Sequence, residues 1–287
     1  MRVFVTGGAG FIGINLCKKL ALLHKVTVYD NFSNSNKENF PVIENVTLIV
    51  GDILNNSKLL DSMKNHDIVI HLAAKTDVID SINNPENTFQ TNVQGTQNVL
   101  DSCKSNAISK IIVTSSAAVY QNSGNSVNEE STTKPLSPYG QSKLDMEKIT
   151  IQSKINYAIL RLFNVYGKGQ TTGVIANFGK NISENNPLTI FGDGKAIRDF
   201  IHIDDVVDAI TLSMKSTSGI YNIASGNGTS ITDLAKLLIE SFGKNSKIVY
   251  QPARKGEIIY SVSDITKSQN ELGFNPKIVL NEGLKTL

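Results

Sequence analysis

Short apolar runs alternate along the chain with longer stretches in which apolar residues recur every three or four positions. The runs Arg2 to Thr6, Lys25 to Tyr29, Val46 to Val50, Asp67 to His71, Lys110 to Ser115 and Tyr157 to Arg161 predict strands buried on both faces. Between the first two, Ile12, Leu16, Leu20 and Leu23 fall at helical spacing and predict one apolar stripe facing a sheet. Strand and helix in repeated order imply right-handed crossovers, hence an α/β fold with a doubly wound parallel sheet. After about Asn164 the rhythm breaks into glycine-rich, polar connections at 167–173 and 192–195. The expected organisation is a first domain over 1–164, rejoined by part of 199–222, and a smaller α/β domain over most of 165–287.

Composition narrows the classes of function. With 287 residues and 40% apolar content the chain can bury a substantial core. Its 28 basic and 26 acidic side chains nearly cancel, so charge gives no reason to expect a nucleic-acid or membrane-surface partner. Cys17 and Cys103 lack metal-ligand spacing and read as buried small hydrophobes, and no metal is expected. No apolar run approaches the roughly 20 residues of a membrane span, and nothing signal-like precedes Val3-Phe4-Val5, so a cytoplasmic location is expected.

The first strand runs into Gly7-Gly8-Ala9-Gly10-Phe11-Ile12-Gly13. Glycines at 7, 10 and 13 permit a tight strand-to-helix turn and let a pyrophosphate approach the helix N-terminus, where free N–H groups favour negative charge. Asp30 closes the second strand about 20 residues on, the place from which a carboxylate accepts hydrogen bonds from a ribose diol and repels a 2′-phosphate. The cofactor expected is therefore NAD rather than NADP. Asp52-Ile53 and Leu72-Ala73-Ala74 follow the third and fourth strands, on the edge along which a dinucleotide lies.

The fifth strand ends in Thr114-Ser115-Ser116, and the next helical pattern opens with Ser137-Pro138-Tyr139-Gly140-Gln141-Ser142-Lys143. Spacing of i, i+4 puts Tyr139 and Lys143 on one helix face, an ammonium beside a phenol. Lowering a phenol by about 3 pH units needs roughly 4 kcal/mol of preferential phenolate stabilisation. Lys143 and a cationic nicotinamide ring are suited to supply it, with Ser116 relaying a proton to Tyr139. His71 and His202 stand without a ligand cluster and read as hydrogen-bonded structural residues.

These motifs, together with Asn92-Val93-Gln94-Gly95-Thr96, Arg161-Leu162-Phe163-Asn164 and Arg198-Asp199-Phe200, resemble the extended short-chain dehydrogenases/reductases over nearly the whole chain. The likeness is to the branch of NAD-dependent sugar epimerases and dehydratases, closest to the UDP-glucose 4-epimerase group. It implies Ser116, Tyr139 and Lys143 as catalytic residues. Cofactor contacts are implied at Gly7, Gly10, Phe11, Ile12, Gly13, Asp30, Asn31, Phe32, Ser33, Asn34, Ser35, Asp52, Ile53, Leu72, Ala73, Ala74, Asn92, Tyr139, Lys143 and Phe163. Substrate contacts are implied at Thr76, Ser116, Asn164, Arg198, Arg254, Glu257 and Ser261. The arginines suit a diphosphate because the guanidinium fork binds it bidentately. Glu257 stands where relatives usually carry Asp.

Related dehydratases carry Asp-Glu directly after the strand-five hydroxyl residue, where this chain has Ala117 and Ala118. Interconversion of UDP-glucose and UDP-galactose through a 4-keto intermediate is the activity the resemblance then implies. Ser261 corresponds to the gatekeeper near the sugar C2 group, and its small size leaves room for UDP-GlcNAc and UDP-GalNAc. The alternatives are UDP-glucuronate 4-epimerisation, dehydration, reduction and a non-catalytic NAD-binding role. The family also implies a homodimer.

Overall fold

Val3, Phe4 and Val5 are fully buried in the first strand, so the chain begins as a strand covered on both faces. The structure, a computed structural model, describes residues 1–253 and 258–287. In chain order the elements are β1 Arg2–Thr6, α1 Phe11–Leu20, β2 Lys25–Asp30, β3 Val46–Val50, α2 Asn56–Ser62, β4 Ile68–His71, α3 Val78–Asn83, α4 Pro85–Phe89, α5 Gly95–Ser105, β5 Lys110–Ser116, α6 Pro138–Gln152 and β6 Tyr157–Leu162. There follow β7 Asn164–Tyr166, α7 Val174–Ser183, β8 Leu188–Phe191, β9 Ile197–His202, α8 Ile203–Ser213, β10 Gly219–Ile223, β11 Gly228–Ser230, α9 Ile231–Ser241, β12 Ile248–Gln251, β13 Tyr260–Ser261, α10 Thr266–Leu272 and α11 Leu280–Leu284.

Two compact units emerge. The first comprises Met1–Gln121, Thr132–Arg161 and Val207–Tyr221. It is built on a seven-stranded parallel sheet in the order β10-β6-β5-β4-β1-β2-β3, the Rossmann arrangement. On one sheet face Phe4, Val69, Ile111, Val113 and Ile159 meet Leu59, Val99, Leu100, Cys103 and Met146 from α2, α5 and α6. Each fully buried side chain of this size contributes about 1.5–3 kcal/mol. Both cysteines are buried and free.

Two sequence expectations are corrected here. Leu23 leaves the apolar stripe and is 83% exposed, because α1 stops at Leu20, whose carbonyl accepts from Leu23 N and His24 N in a turn. β3 is only half-buried, since it lies at the sheet edge.

The second unit comprises Asn122–Ser131, Leu162–Val206 and Asn222–Leu287. The segment 122–131, inside the expected first domain, belongs here: Val127 N donates to Val262 O, and Asn222 N donates to Glu129 Oε1. β9 pairs in parallel with β7 and β13 and antiparallel with β11. Its core gathers Tyr166, Ile175, Phe178, Ile182, Leu188, Phe200, Leu234 and Leu238. No described helix is long and apolar enough to cross a membrane.

Candidate active site

In the first unit, Gly7 turns the chain out of β1 at φ +71, and a Cβ there would lie 2.5 Å from Ala73 N. Close approach of the β1 and β4 ends therefore requires glycine, and Leu72 N donates to Thr6 O to hold it. Gly10 precedes α1 in extended conformation with no side-chain cap, which leaves first-turn N–H groups for an external acceptor. A Cβ on Gly10 would meet only Gly7 O, at 3.4 Å, so the space in front of the helix is open. Gly13 is buried in α1, and Phe11 and Ile12 are half-buried on its first turn.

Asp30 is engaged on both oxygens, accepting from Ala9 N at 2.9 Å and Phe32 N at 2.8 Å. It thereby ties the glycine loop to the turn after β2, where Phe32 adopts φ +60, unusual for a side-chain residue. Asn31 donates to Asp52 Oδ2, and Asp52 Oδ1 accepts from Leu54 N. Ser33 and Asn34 are exposed and Ser35 half-buried on the same turn. A glycine cradle, open helix-terminal donors and an anchored carboxylate fit a dinucleotide: residues 7–13 would take its pyrophosphate and Asp30 its ribose.

Two implied cofactor residues also make contacts within the protein. The Ile53 side chain lies in the core against Gly95, and its carbonyl accepts from Asn98 Nδ2. Asn92, fully buried in a π-turn between α4 and α5, accepts from Lys75 N and donates to Lys75 O and Ser142 Oγ. These bonds tie the residue after Leu72-Ala73-Ala74, all three half-buried, to α6. Thr76 just beyond is exposed.

The reacting set is assembled by α6 and the end of β5. Ser137 caps α6 through Gly140 N, Pro138 occupies its first turn, and Tyr139 N donates to Ser81 Oγ at 3.1 Å. A Cβ on Gly140 would stand 2.4 Å from Ala118 O, so only glycine lets this turn touch the 3-10 turn Ala117–Val119. Tyr139 is thereby brought to the end of β5, where the Ser116 hydroxyl bears on its phenol. Burial pushes the phenol above its ordinary range, and the Ser116 hydroxyl works in the opposite direction. One turn on, Lys143 Nζ donates to Thr114 O at 2.9 Å. Burial lowers its ammonium to about 8, opposed by the Glu147 charge.

His71 lies beneath this set. Thr96 donates its proton to Asn92 O, so its oxygen accepts from His71 Nε2–H, and Thr6 donates to Nδ1 at 2.7 Å. Burial, then the Lys143 charge, lowers His71 to about 3; it is a neutral structural imidazole.

The matches among known proteins agree with this geometry. The model of the NAD dependent epimerase/dehydratase family matches residues 3–224. The chain belongs to that family. Membership makes it an NAD-dependent enzyme, and relatives and structural neighbours that are epimerases put it among the isomerases. A putative UDP-glucose 4-epimerase of Methanocaldococcus jannaschii is 36% identical over 295 residues, covering 99% of this chain and 96% of the relative. The crystal structure of a UDP-glucose 4-epimerase with UDP-glucose from Thermotoga maritima superposes with a TM-score of 0.94 at 33% identity, covering 100% of this chain and 97% of that one. A Thermus thermophilus UDP-glucose 4-epimerase in complex with NAD gives 0.93 at 30% identity, covering 100% and 97%.

In the second unit, Phe163 is buried and its N–H donates to Ile223 O. Asn164 Nδ2 donates to Asp199 O, leaving its Oδ1 for other partners. Arg198, half-buried on β9, donates to Ile197 O. Ser261 is its register partner on β13, so the two side chains share one sheet face. Asp199 anchors the neighbouring turns, accepting from Ser225 N, Ser225 Oγ, Gly226 N and Ser263 N. Arg254 and Glu257 lie outside the described residues.

Sequence reasoning missed Ser81, which holds the Tyr139 main chain, and Glu147, which bears on Lys143. Glu147 carried a legible signal, since it continues the i, i+4 repeat of Tyr139 and Lys143. Ser81 carried none.

Proposed function

We propose that this enzyme inverts C4 of a UDP-linked hexose, interconverting UDP-glucose and UDP-galactose. The observation that carries this reading is Lys143 held by Thr114 O one turn from the buried Tyr139, whose phenol the Ser116 hydroxyl pulls down against burial. Tyr139 accepts the proton of the C4 hydroxyl, with Ser116 bridging the sugar oxygen and the phenol. NAD, which residues 7–13 and Asp30 would hold, would supply reversible hydride transfer at C4. Lys143 lowers the cost of the phenolate, which burial alone raises. Tyr139 then gives its proton back to the oxygen after the sugar has presented its other face.

The absence of acidic side chains at Ala117 and Ala118 supports epimerisation over loss of water, because removing a C5 proton and the C6 hydroxyl needs an acid and a base beside the sugar. Asn164, Arg198, Arg254 and Glu257 are assigned to the nucleotide and diphosphate, and Thr76 and Ser261 to the sugar. Ser261 is small, which supports acceptance of an N-acetyl group at C2. Incubation of the NAD-loaded protein with UDP-glucose and with UDP-GlcNAc, followed by proton NMR, should give mixtures of both C4 epimers. A product that is only the 4-keto-6-deoxy sugar would overturn the reading. Ser261→Tyr should abolish turnover of the acetylated donor selectively. The family likeness extends the reading to a homodimer, which sedimentation equilibrium checks.

A further inference from the structure

Below Tyr139 and Lys143 the first unit buries an ion pair that the chemistry above does not use. Arg161 Nη2 donates to Glu147 Oε2 at 2.7 Å and its Nε donates to Oε1 at 3.0 Å, with side chains only 4% and 2% exposed. Ser115 Oγ donates to the same Oε1 at 2.5 Å. The guanidinium reaches onward, its Nη1 donating to Tyr120 Oη at 2.9 Å. A buried ion pair costs more in desolvation than it commonly returns, so its presence as a stabiliser alone is poorly accounted for.

Its position suggests another purpose. Tyr139, Lys143 and Glu147 are spaced i, i+4, i+8 on α6, and three successive residues of β5 each hold one of them: Ser116 the phenol, Thr114 O the ammonium and Ser115 the carboxylate. Arg161 also grips Tyr120, just past the 3-10 turn that follows Ser116. One network therefore secures the reacting helix and the segment beyond Ser116.

We propose that Glu147 is a positioning residue for the reaction: clamped by Arg161 and Ser115 one turn along α6 from Lys143, it supplies the counter-charge that keeps the ammonium, held by Thr114 O, charged beside Tyr139. This rests on reading Tyr139 and Lys143 as the reacting pair. The described groups around Lys143 come from three elements. From β4 comes His71, neutral in its buried site; from α6 come Tyr139 and Glu147; from β6 comes Arg161, behind Glu147; and Tyr120 lies beyond Arg161. Among these described residues Glu147 is the anion. The Lys143 ammonium, lowered to about 8 by burial, is raised by Glu147 against that trend.

The test is a pH titration of the NAD-loaded protein carrying 13C-labelled lysine, with the Lys143 ε-carbon signal assigned by its loss in Lys143→Arg. Glu147→Gln removes the anion and leaves Arg161 uncompensated, so Lys143 should bind its proton about tenfold more weakly and titrate at lower pH. Glu147→Gln leaves a buried charge unpaired and is the variant at risk of misfolding, so Glu147→Met/Arg161→Met is made in parallel. It should fold and shift Lys143 in the same direction by less. With UDP-glucose, kcat should fall about tenfold while KM stays within about twofold, the pattern of an interaction used in the transition state. Glu147→Asp should recover part of the loss. A Lys143 midpoint unchanged in a folded Glu147 variant overturns the proposal whatever kcat does. The titration needs no sugar, so failure of the intact protein to turn over any UDP-sugar refutes the substrate reading alone.

Discussion

Lys143 Nζ donates to the main-chain carbonyl of Thr114 at 2.9 Å, deep between α6 and β5. The bond fixes the ammonium one turn below Tyr139. Lys143→Met should therefore lower kcat by roughly 100-fold, about 3 kcal/mol of lost transition-state stabilisation. Binding of NAD, followed by tyrosine fluorescence quenching, should change far less. Lys143→Arg should not rescue turnover, because a planar guanidinium cannot occupy the site of a compact ammonium.

Asp30 couples the glycine loop to the turn after β2 through Ala9 N and Phe32 N. Asp30→Ala removes both anchors and the carboxylate assigned to the ribose. A hydrogen bond to a charged group contributes about 1.5–3 kcal/mol, so NAD affinity measured by calorimetry should fall about 10- to 100-fold. NADP binding should fall less or improve, since the repulsion of a 2′-phosphate is lost.

Gly140 lets the first turn of α6 rest against Ala118 O. Gly140→Ala places a methyl 2.4 Å from that oxygen and must push the turn away. Overpacking of this kind costs about 1–3 kcal/mol, which urea unfolding should register. Turnover should suffer more than stability, because the same displacement parts Tyr139 from Ser116.

His71 makes the first unit sensitive to acid. Its folded pKa, about 3, lies below the ordinary 6.5 of a free imidazole, so the unfolded chain binds the extra proton between these values. The stability this neutral imidazole contributes is complete above pH 6.5 and is lost as pH falls toward 3. Within that window the slope from this residue is about 1.4 kcal/mol per pH unit. His71→Gln, which can still bridge Thr6 and Thr96 but does not titrate, should flatten the pH dependence of urea unfolding by about one proton. An identical slope in the two proteins would count against it.

Much of the molecule was legible without its structure, and the reason is local. Strand and helix periods, the glycine loop and the i, i+4 spacing of Tyr139 and Lys143 are properties of near neighbours, and these determined the parallel sheet, the dinucleotide loop and the residues of the reacting set. The end of α1 was misread because an apolar side chain at helical spacing does not reveal that the helix has already stopped; Leu23 faces solvent.

What remained depended on which strands and loops meet, which no single segment records. Strand order alone put β3 at the edge and exposed half of an apolar run. Helix packing buried Ile53 against Gly95 and turned Asn92 toward Lys75. The tertiary fold also brought Ser81 to the Tyr139 main chain, and Arg161 and Ser115 to Glu147. The sequence by itself named a phenol and an ammonium; only the tertiary structure gave them a buried setting, in which desolvation shifts both groups and a distant arginine secures the carboxylate beneath them.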